Sequence, residues 1–486
     1  MNEVDPVFTR TKIVGTIGPA SESEEMISSL LEAGLDVARI NFSHGNRKQH
    51  RSLFKRLREV SEKKGKHLAI LCDIQGPKIR TGKMKEPFWV NQGDMIRITS
   101  EEVLGKPERF SIDHPGIVEE LDPDDEIFIN DGTVKMRVRK KEGKDLICEV
   151  RNGGLISDRK GCNIPSSNIF VDIPTEKDLA DLEVIADLDP EYIAASFIGT
   201  SEDVKKIREV LRSHDKEDIK IISKIERPKA LENLEEIMEV SDGIMVARGD
   251  LGVEIPPYEV PAAQKEMCRL ANQAGIPVIV ATQMLNSMIE HSRPTRAEAA
   301  DVFNAVLDGA DALMLSNETA VGKDPVLVVN TMKDIIRRAE DHFPYRDPDY
   351  YDSDDQCMIE TIGHAAYTLI KEFDDREYSG SIIAVTDSGQ SARMISKYRP
   401  NRTILAVTPN IKTANELAGV WGVVPIHSVE VSTDLLEMRM IDAVKTAVDR
   451  GYLSRNDHVV VVSSSMVVGD MGMVACVYKV SSLFES

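Results

Sequence analysis

Eight short apolar runs, each ending in polar or charged residues, constrain the fold of this chain more than any other feature. Most are rich in Ile, Val, Ala and Leu, which is typical of parallel strands buried on both faces. Helical stretches or one long insertion separate most of them, so the pattern predicts βα units rather than hairpins. Eight such units predict a closed (β/α)8 barrel, or TIM barrel, whose active site lies at the carboxyl ends of the strands. The predicted strands are residues 12–18, 37–42, 67–73, 192–198, 220–225, 243–250, 277–283 and 312–318.

The length and charge of the chain limit its organisation and its partners. At 486 residues it is too long for one hydrophobic core, and about two to four domains are expected. The formal net charge of −21 argues against nucleic acid or an anionic membrane as the main partner. An anionic substrate must therefore be held by a local basic cluster or by a metal ion.

The cysteines and the apolar runs bear on location. Six cysteines are scattered without a CxxC pair, which predicts reduced thiols in a cytoplasmic protein and no zinc site. The chain starts without the apolar core of a signal peptide. No run reaches the ~18 apolar residues of a membrane span. We therefore expect a soluble, cytoplasmic protein.

The periodicity of the apolar residues changes along the chain and predicts three structural units in four segments. The barrel occupies residues 1–76 and 173–342, interrupted by a β-rich insertion at 77–172. We expect this β-barrel-like lid domain to replace an exposed loop, where insertions are tolerated. A Pro, Asp and Tyr-rich linker at 340–356 leads into a C-terminal α/β sheet domain at 343–486.

Strands are also predicted within the insertion and the C-terminal domain. The insertion contains the turn signals Asp131-Gly132 and Glu142-Gly143, and strand-like segments at 95–99, 126–130, 134–140 and 146–151. The C-terminal domain alternates helices with strands at 381–389, 403–410, 423–428, 458–465 and 475–480.

The strongest local signal joins the ends of two neighbouring predicted strands. Residues i and i+2 of a strand point to the same side, so Lys224 and Glu226 can both face the barrel mouth. Glu226 and Asp250 offer two hard oxygen ligands that suit Mg²⁺, which keeps its other positions for water and substrate phosphate. Lys224 can stabilise a transferring phosphoryl group, or carry a proton if burial lowers its pKa. An ion-pair network that seals the barrel end explains the same residues without a function.

The end of the second predicted strand, within ARINFSHG, carries Arg39, Asn41 and Ser43 on one side. Arginine suits forked contacts with phosphate or carboxylate. Asn41 and Ser43 add neutral oxygens that can coordinate a monovalent cation or bond a nucleotide. A βα loop with its own helix N-cap is the alternative, and His44 alone is better explained as a hydrogen-bonded loop histidine than as a catalyst.

A Gly-Pro pair follows the third predicted strand and marks the turn into the insertion. Asp73 can face the mouth, while Lys78 and Arg80 bring positive charge to the cleft between the domains. A plain linker with solvated basic residues is the alternative, and this segment in isolation favours it.

Hydroxyl and carboxylate groups end the last two predicted barrel strands. Thr282, Ser316 and Glu318 surround the same mouth and can form a proton relay through water. Each of them alone is better explained by hydrogen bonds to its own loop.

One loop of the C-terminal domain also carries several hydroxyl groups. Thr386, Ser388, Gly389 and Ser391 link a predicted strand to a helix, and such helix N-termini bind phosphate. A plain N-cap is an equally good explanation.

The chain resembles the pyruvate kinase family in the motifs KIVGTIGPAS, ARINFSHG, IQGPKIRTG, IISKIER, ARGDLG, ATQMLNSM, PTRAEAADV and DALMLSNETAVGK. The resemblance covers essentially the whole chain in the right order, including the insertion and the C-terminal domain. It implies phosphoryl transfer from phosphoenolpyruvate to ADP, giving pyruvate and ATP, as the last step of glycolysis. It also implies a homotetramer whose inserted domain closes over the mouth as a lid, without a nucleic-acid or membrane partner.

The resemblance implies roles for the charged residues at the mouth. Glu226 and Asp250 would bind Mg²⁺, Lys224 would stabilise the transferring phosphoryl group, and Arg39 would hold the substrate phosphate. These roles agree with the chemistry, because phosphoryl transfer needs mainly positioning and cationic clamps.

The same resemblance implies roles at the carbon end of the substrate. Gly249, Asp250 and Thr282 would contact the carboxylate of phosphoenolpyruvate or its enolate. Water or a hydroxyl group then protonates the enolate at carbon, with Thr282, Ser316 and Glu318 as the nearest candidates.

Nucleotide contacts are also implied. Asn41, His44 and Arg80 match nucleotide-contact positions of the family, and Lys160 matches one from the inserted domain. These four residues are expected to bind ADP and ATP.

One departure from the family pattern concerns potassium. Most members bind K⁺ through positions matching Asn41, Ser43, Asp73 and the carbonyl of Ile74, and they carry Glu where this chain has Lys78. Members with Lys at that position resemble the potassium-independent type. The Lys78 ammonium can supply the positive charge that K⁺ otherwise brings, so K⁺ is not expected to be required.

A second departure is Asn317, where the family usually has Gly between Ser316 and Glu318. Asn tolerates unusual backbone angles better than most residues, but it adds bulk beside Ser316. In the C-terminal domain, the loop around Ser388 matches the region where many relatives bind a phosphorylated activator.

Two other functions are compatible with this architecture. A lyase or aldolase that uses Mg²⁺ to stabilise pyruvate enolate needs no nucleotide contacts, so Arg80 and Lys160 argue against it. A metabolite sensor that lost turnover would be expected to lack Lys224, Glu226 or Asp250, and all three are present.

Overall fold

The structure, a computed structural model, describes residues 8–484 except 131, 166–171, 346–350, 352–357, 433–434 and 468–469. Asp131 of the predicted turn, Cys357 and most of the predicted linker at 340–356 lie outside the described residues.

Eight parallel strands form a closed barrel, as the sequence predicts. They are β1 (Lys12–Thr16), β2 (Val37–Asn41), β3 (Ala69–Asp73), β12 (Tyr192–Ala195), β13 (Lys220–Ile225), β14 (Gly243–Ala247), β15 (Val278–Ala281) and β16 (Ala312–Leu315). Their order around the barrel is β1-β16-β15-β14-β13-β12-β3-β2. Most of them end earlier than predicted, because the polar residues at their carboxyl ends already belong to the βα loops.

Helices surround the barrel. They are α1 (Glu24–Ala33), α2 (Arg47–Lys64), α4 (Glu176–Leu188), α5 (Ser201–Ser213), α6 (Pro228–Glu232), α7 (Leu234–Val240), α8 (Arg248–Glu254), α9 (Val260–Ala274), α10 (Arg296–Leu307), α11 (Asn317–Ala320) and α12 (Pro325–Glu340), with a 3₁₀ helix at Asn286–Ile289. Local sequence sets their ends. Capping boxes at Asn46, Thr175 and Thr295 begin α2, α4 and α10, and Gly34 and Gly65 end α1 and α2 in the left-handed conformation.

The barrel strands are buried on both faces. Residues such as Ile13, Ile40 and Ile70 pack outward against the helices. Residues of the opposite parity, such as Val37 and Ile222, fill the barrel interior. This double burial explains why the strands are continuous apolar runs rather than alternating patterns.

The insertion between β3 and α4 folds around one core of its own. Its elements are β4 (Phe88–Val90), β5 (Met95–Thr99), β6 (Arg109–Ser111), α3 (Ile117–Glu120), β7 (Glu126–Ile129), β8 (Val134–Glu142), β9 (Asp145–Asn152), β10 (Gly154–Ile156) and β11 (Cys162–Asn163). A six-stranded sheet, β11-β7-β8-β9-β5-β6, and a two-stranded ribbon, β10-β4, enclose this core. All four predicted strands are present, and Gly143 turns β8 into β9 with a φ of 61°.

The C-terminal unit is an α/β sheet with the predicted alternation. It contains α13 (Met358–Asp375), β17 (Gly380–Val385), α14 (Gln390–Lys397), β18 (Ile404–Thr408), α15 (Ile411–Leu417), β19 (Val423–His427), α16 (Leu436–Asp449), β20 (His458–Val467) and β21 (Asp470–Lys479), with 3₁₀ helices at Val429–Ser432 and Val480–Leu483. The sheet order is β19-β18-β17-β20-β21, and only β21 runs antiparallel to its neighbour. Separate hydrophobic clusters cover its two faces.

Specific polar contacts join this unit to the barrel. Lys12 Nζ donates to the carbonyl of Val423 at 2.8 Å, and the Tyr192 hydroxyl donates to the carbonyl of Glu416 at 2.8 Å. Within the described residues, no helix has both the length and the apolar character needed to cross a membrane.

Candidate active site

The inward-facing residues of three barrel strands end in charged side chains at the mouth. Parity places Arg39 above Val37 on β2, and Lys224 above Ile222 on β13, in line with the residues that fill the barrel interior. Asp73 ends β3 in the same way. The strand period therefore brings three charges of both signs to one place.

Arg39 is oriented by two side chains. Its Nε donates to Asp73 Oδ2 at 2.7 Å, and its Nη1 donates to Thr16 Oγ1 at 2.9 Å. Nη2 has no side-chain or backbone acceptor among the described residues, so it remains available for an anionic ligand.

Lys224 lies between two carboxylates. Its Nζ is 3.5 Å from Asp73 Oδ1 and 2.8 Å from Glu226 Oε1, and it donates to Ser196 Oγ at 2.7 Å. Burial favours the neutral amine, but Asp73 and Glu226 outweigh it and raise the pKa of Lys224 above its usual value. This direction favours the role in which the charged Lys224 stabilises a phosphoryl group over the role in which it carries a proton.

Asp73 is ionised for a related reason. Burial favours the protonated carboxyl, yet the cations Arg39 and Lys224 outweigh burial and hold the pKa of Asp73 below its usual value. Asp73 thus positions both cations, through its ion pairs with Arg39 and Lys224.

Glu226 is fully buried, and its two oxygens differ. Oε2 accepts the backbone N–H of Phe197 at 2.6 Å. Oε1 has no hydrogen bond of good geometry and relies on the ion pair with Lys224. Burial raises the pKa of Glu226 to about 7, with Lys224 opposing and Asp250 reinforcing that rise.

Asp250 lies in the first turn of α8. It follows Gly249, which the family resemblance also assigns to the substrate. The backbone N–H of Gly249 donates to Thr282 Oγ1 at 2.8 Å, which leaves the hydroxyl proton of Thr282 free for donation. Thr282 itself has a left-handed backbone with a φ of 75°, a strained conformation for a β-branched residue.

The two carboxylate oxygens of Glu318 join the loop after β16 to the loop after β15. Oε2 of the buried Glu318 accepts the backbone N–H of Ser316 at 2.7 Å, and Oε1 accepts that of Leu285 at 3.3 Å. Asn317 begins α11 and its side chain is exposed. The backbone at this position is helical, so no unusual angle has to be accommodated.

A cleft of about 220 Å³ separates the barrel mouth from the insertion. Its lining includes Lys78, Arg80 and Asp250. Desolvation lowers the pKa of Lys78, while the negative charge of Asp250 opposes this effect. Asn163 of the insertion donates to Glu254 Oε1 of α8 at 2.8 Å, which joins the two walls of the cleft.

The predicted nucleotide and cation positions lie around the same mouth. Arg80 Nη1 donates to the carbonyl of Arg159, the neighbour of Lys160. Asn41 Oδ1 accepts the backbone N–H of Ser43 at 3.0 Å, and His44 is exposed. Local hydrogen bonds thus hold the side chains of Arg80 and Asn41, and His44 is open to solvent.

The carbonyl of Ile74, predicted to take part in a monovalent cation site, is already engaged. It accepts a hydrogen bond from Ser196 Oγ at 2.7 Å. Ser196 therefore links Ile74 to Lys224.

The C-terminal loop predicted to bind an effector forms a tight turn away from the barrel strands. Thr386 Oγ1 accepts the backbone N–H of Gly389 at 2.9 Å, and Gly389 has a φ of 81°. Ser391 is buried in α14. Arg393 donates to the carbonyl of Ser388 at 3.2 Å, so a cation stands beside this turn.

Three residues that the sequence analysis did not select complete the site: Thr16, Ser196 and Phe197. Phe197 has a φ of 62°, and this conformation accompanies the donation of its N–H to Glu226. Ser196 could have been selected from the sequence. It lies at the polar end of the run at 192–198 and follows a barrel strand, as the selected residues do.

The residues at the mouth fit a divalent cation. Oε1 of Glu226 is a buried carboxylate oxygen without a sound hydrogen bond, and Asp250 has no ion pair within the described residues. No three His, Cys, Asp or Glu side chains of the described residues form a metal-binding group. A cation here would use two carboxylates and take its remaining ligands from substrate and water, as Mg²⁺ does.

Comparison with known proteins supports one family along the whole chain. The family profile described as "Pyruvate kinase, barrel domain" matches residues 8–329, and that described as "Pyruvate kinase, alpha/beta domain" matches residues 360–475.

Individual relatives agree with these profiles. A pyruvate kinase of Staphylococcus saprophyticus is 40% identical over 475 residues, which is 95% of this chain and 79% of that protein. A pyruvate kinase of Staphylococcus aureus is 41% identical over 476 residues, with the same coverage of 95% and 79%. The crystal structure of a pyruvate kinase from Cryptosporidium parvum matches with a TM-score of 0.88 and 34% identity, covering 96% of each chain.

Proposed function

This chain belongs to the pyruvate kinase family, and from that premise we propose how its barrel mouth transfers a phosphoryl group from phosphoenolpyruvate to ADP. The observation that carries the proposal is the position of Lys224, whose ammonium is held between Asp73 and Glu226. A phosphoryl group in transfer carries negative charge that such a fixed cation stabilises.

Arg39 binds the phosphate of phosphoenolpyruvate. Asp73 and Thr16 fix two of its nitrogens, so the free Nη2 points a preoriented donor at the substrate. Fixing the guanidinium before binding reduces the entropy lost when the substrate is held in line with the acceptor.

Glu226 and Asp250 hold Mg²⁺. When bound, this ion supplies positive charge that neutralises and orients the phosphate oxygens. The buried oxygen Oε1 of Glu226 supports the assignment, because it lacks a sound hydrogen bond and a positive partner would satisfy it.

Thr282 binds the enolate end of the substrate, and the backbone N–H of Gly249 positions its hydroxyl oxygen. Phosphoryl loss from phosphoenolpyruvate leaves an enolate, which must gain a proton at carbon to become pyruvate. The hydroxyl proton of Thr282 is free to be donated directly or through water, and solvent returns a proton to Thr282. Ser316, whose backbone Glu318 holds, is the nearest further hydroxyl for such a relay.

The insertion closes the cleft over the nucleotide. Arg80, in the hinge, and Lys160, in the insertion, contact the nucleotide from one side. Asn41 and His44 contact it from the barrel. The hydrogen bond between Asn163 and Glu254 supports closure, since water exclusion strengthens every charge interaction inside the site.

Lys78 takes the place of K⁺. It lies among Asp250, Glu226 and Lys224, as their mutual effects on its pKa indicate. The hydrogen bond from Ser196 to the carbonyl of Ile74 also engages one of the oxygens that a K⁺ ion would use.

The proposal also covers the location of the enzyme, its assembly, its effector site and its domain limits. The enzyme is cytoplasmic and assembles as a homotetramer, with no nucleic-acid or membrane partner. A phosphorylated effector binds the turn formed by Thr386, Ser388, Gly389 and Ser391, with Arg393 as an adjacent cation. The domain limits are those expected from the sequence, 1–76 and 173–342 for the barrel, 77–172 for the lid and 343–486 for the C-terminal domain.

Pyruvate formation from phosphoenolpyruvate and ADP, measured with Mg²⁺ in a buffer without K⁺, tests the proposal. We expect turnover in the wild type and its loss in Lys224→Met. Turnover that requires K⁺ would preserve the kinase and refute the role of Lys78. No turnover under either condition, with phosphorylated sugars also tested, would favour a metabolite sensor over an enzyme.

A further inference from the structure

Arg227 follows Glu226 directly, and its half-buried side chain lines the cleft between the barrel and the insertion. The same cleft is lined by Lys78, Arg80 and Asp250. Arg227 therefore faces the space that the substrates occupy in the proposed function.

The guanidinium of Arg227 has no hydrogen bond or ion pair within the described residues. By contrast, Arg39 and Lys224 at the mouth are engaged by carboxylates: Arg39 by Asp73, and Lys224 by Glu226. A guanidinium carries five N–H donors, and leaving them unpaired in a partly desolvated cleft is unfavourable. An anionic ligand would satisfy them.

Local structure gives no reason for arginine at this position. Arg227 is the N-cap of α6, where its side chain makes no capping hydrogen bond. Ser, Thr, Asp and Asn are preferred at N-caps because their side chains accept a backbone N–H, which arginine cannot do. Residues that break a local rule without a local gain are expected at functional sites.

The nearest alternative partner is Glu254. Burial raises the pKa of Glu254, and the positive charge of Arg227 opposes this rise, so the two groups influence each other. However, they form no ion pair, and Glu254 Oε1 already accepts a hydrogen bond from Asn163 at 2.8 Å.

We propose that Arg227 is a phosphate-binding residue of this cleft. The inference rests on the proposed function, because it takes phosphoenolpyruvate and ADP as the ligands. A guanidinium matches the spacing of two phosphate oxygens and binds them with two parallel hydrogen bonds. Arg227 and Asp250 line the same cleft, so a phosphate bound near Asp250 would lie in the space that Arg227 faces. The phosphate belongs either to ADP or to phosphoenolpyruvate.

Steady-state kinetics of Arg227→Gln and Arg227→Lys distinguish these sources. We expect Arg227→Gln to raise the KM of one substrate about tenfold, the loss of roughly one charge-assisted contact, with Arg227→Lys between it and the wild type. A rise confined to ADP assigns Arg227 to the diphosphate, and a rise confined to phosphoenolpyruvate assigns it to that phosphate. Arg212→Gln, an exposed arginine on α5, is the matched control and should change neither KM.

Calorimetric titration of each variant with Mg²⁺ and ADP gives a readout without turnover. If the wild type formed no pyruvate, the proposed function would fail, and ADP affinity would still decide whether Arg227 binds phosphate. Unchanged KM values and unchanged ADP affinity in Arg227→Gln, with or without a lower Tm, would overturn the inference and leave Glu254 as the partner of Arg227.

Discussion

Phe197 donates its backbone N–H to Glu226 Oε2 at 2.6 Å from a left-handed conformation with a φ of 62°. Such a conformation costs roughly 1–3 kcal/mol for a residue with a large side chain and persists only where its surroundings enforce it. Here one carboxylate oxygen is fixed by that strained backbone, while Oε1 is left with Lys224 alone. This asymmetry presents one oxygen of Glu226 to a cation.

Glu226→Gln should therefore weaken Mg²⁺ binding. The amide keeps an oxygen for the N–H of Phe197 but loses the charge that attracts the ion, so we expect Mg²⁺ affinity to fall at least about tenfold. Calorimetric titration with Mg²⁺ and the Mg²⁺ dependence of turnover both measure this.

Glu232→Gln removes an exposed carboxylate of α6 and is the matched control, with wild-type affinity expected. If Glu226→Gln bound Mg²⁺ as tightly as the wild type, Glu226 would not be a ligand.

Lys78→Glu should create a requirement for K⁺. The substitution replaces the ammonium near Asp250 and Glu226 by a third carboxylate, and a monovalent cation is then needed to offset the added negative charge. We expect K⁺ to stimulate the variant about tenfold or more, equivalent to at least ~1.4 kcal/mol, and to leave the wild type nearly unchanged. Initial rates in K⁺ and in tetramethylammonium at equal ionic strength provide the comparison.

Lys83→Glu makes the same charge change at an exposed residue of the insertion and should not respond to K⁺. Tenfold stimulation of the wild type by K⁺ would contradict the substitution of Lys78 for the ion.

The sequence alone predicts the barrel and the charged residues at its mouth, because burial and the strand period leave a visible pattern in it. Buried parallel strands are apolar runs, and their period of two determines that Arg39 and Lys224 continue the inward-facing side. The strands β4, β6, β10 and β11 were not predicted, because two or three residues are too short to display that period.

The rest of the site depends on contacts that the sequence does not encode locally. Asp73 meets Lys224 only because β12, which follows the insertion, pairs with both β3 and β13. The N–H of Phe197 reaches Glu226 through a backbone angle unusual for its residue type. The raised pKa of Lys224 depends on Asp73 and Glu226, which come from different strands, so the sequence alone left its direction open.

Asn317→Gly should leave catalysis nearly unchanged. Glu318 holds the backbone of Ser316 at 2.7 Å, and the exposed Asn317 side chain points away from this contact into solvent. We expect kcat within about threefold of the wild type, and a loss of stability of up to ~1 kcal/mol because Gly is a poor helix residue. Steady-state kinetics and thermal unfolding measure the two effects.

Asn304→Gly, at an exposed position of α10, reports the stability cost of the same change away from the mouth. An increase in kcat of tenfold or more in Asn317→Gly alone would show that the asparagine obstructs protonation of the enolate.

His67 makes the contact between the barrel and the C-terminal unit sensitive to pH. Its Nδ1 lies 3.3 Å from Asn415 Oδ1 of α15. Burial lowers the pKa of His67 below 6.5; the hydrogen bond with Asn415 opposes this effect, and the neighbouring His427 and Arg450 add to it. The unfolded chain then binds a proton at a higher pH than the folded protein. Stability from this site is complete above about pH 6.5 and is lost as the pH falls through the lower folded pKa.

His67→Gln should remove this loss, because the amide can still donate to Asn415 but does not titrate. We expect the fall in Tm between about pH 6.5 and pH 5 to be shallower in the variant than in the wild type. Scanning calorimetry across that range measures the slope, and His291→Gln, at an exposed position, should retain the wild-type slope. Equal slopes for His67→Gln and the wild type would mean that His67 does not titrate differently in the folded and unfolded states.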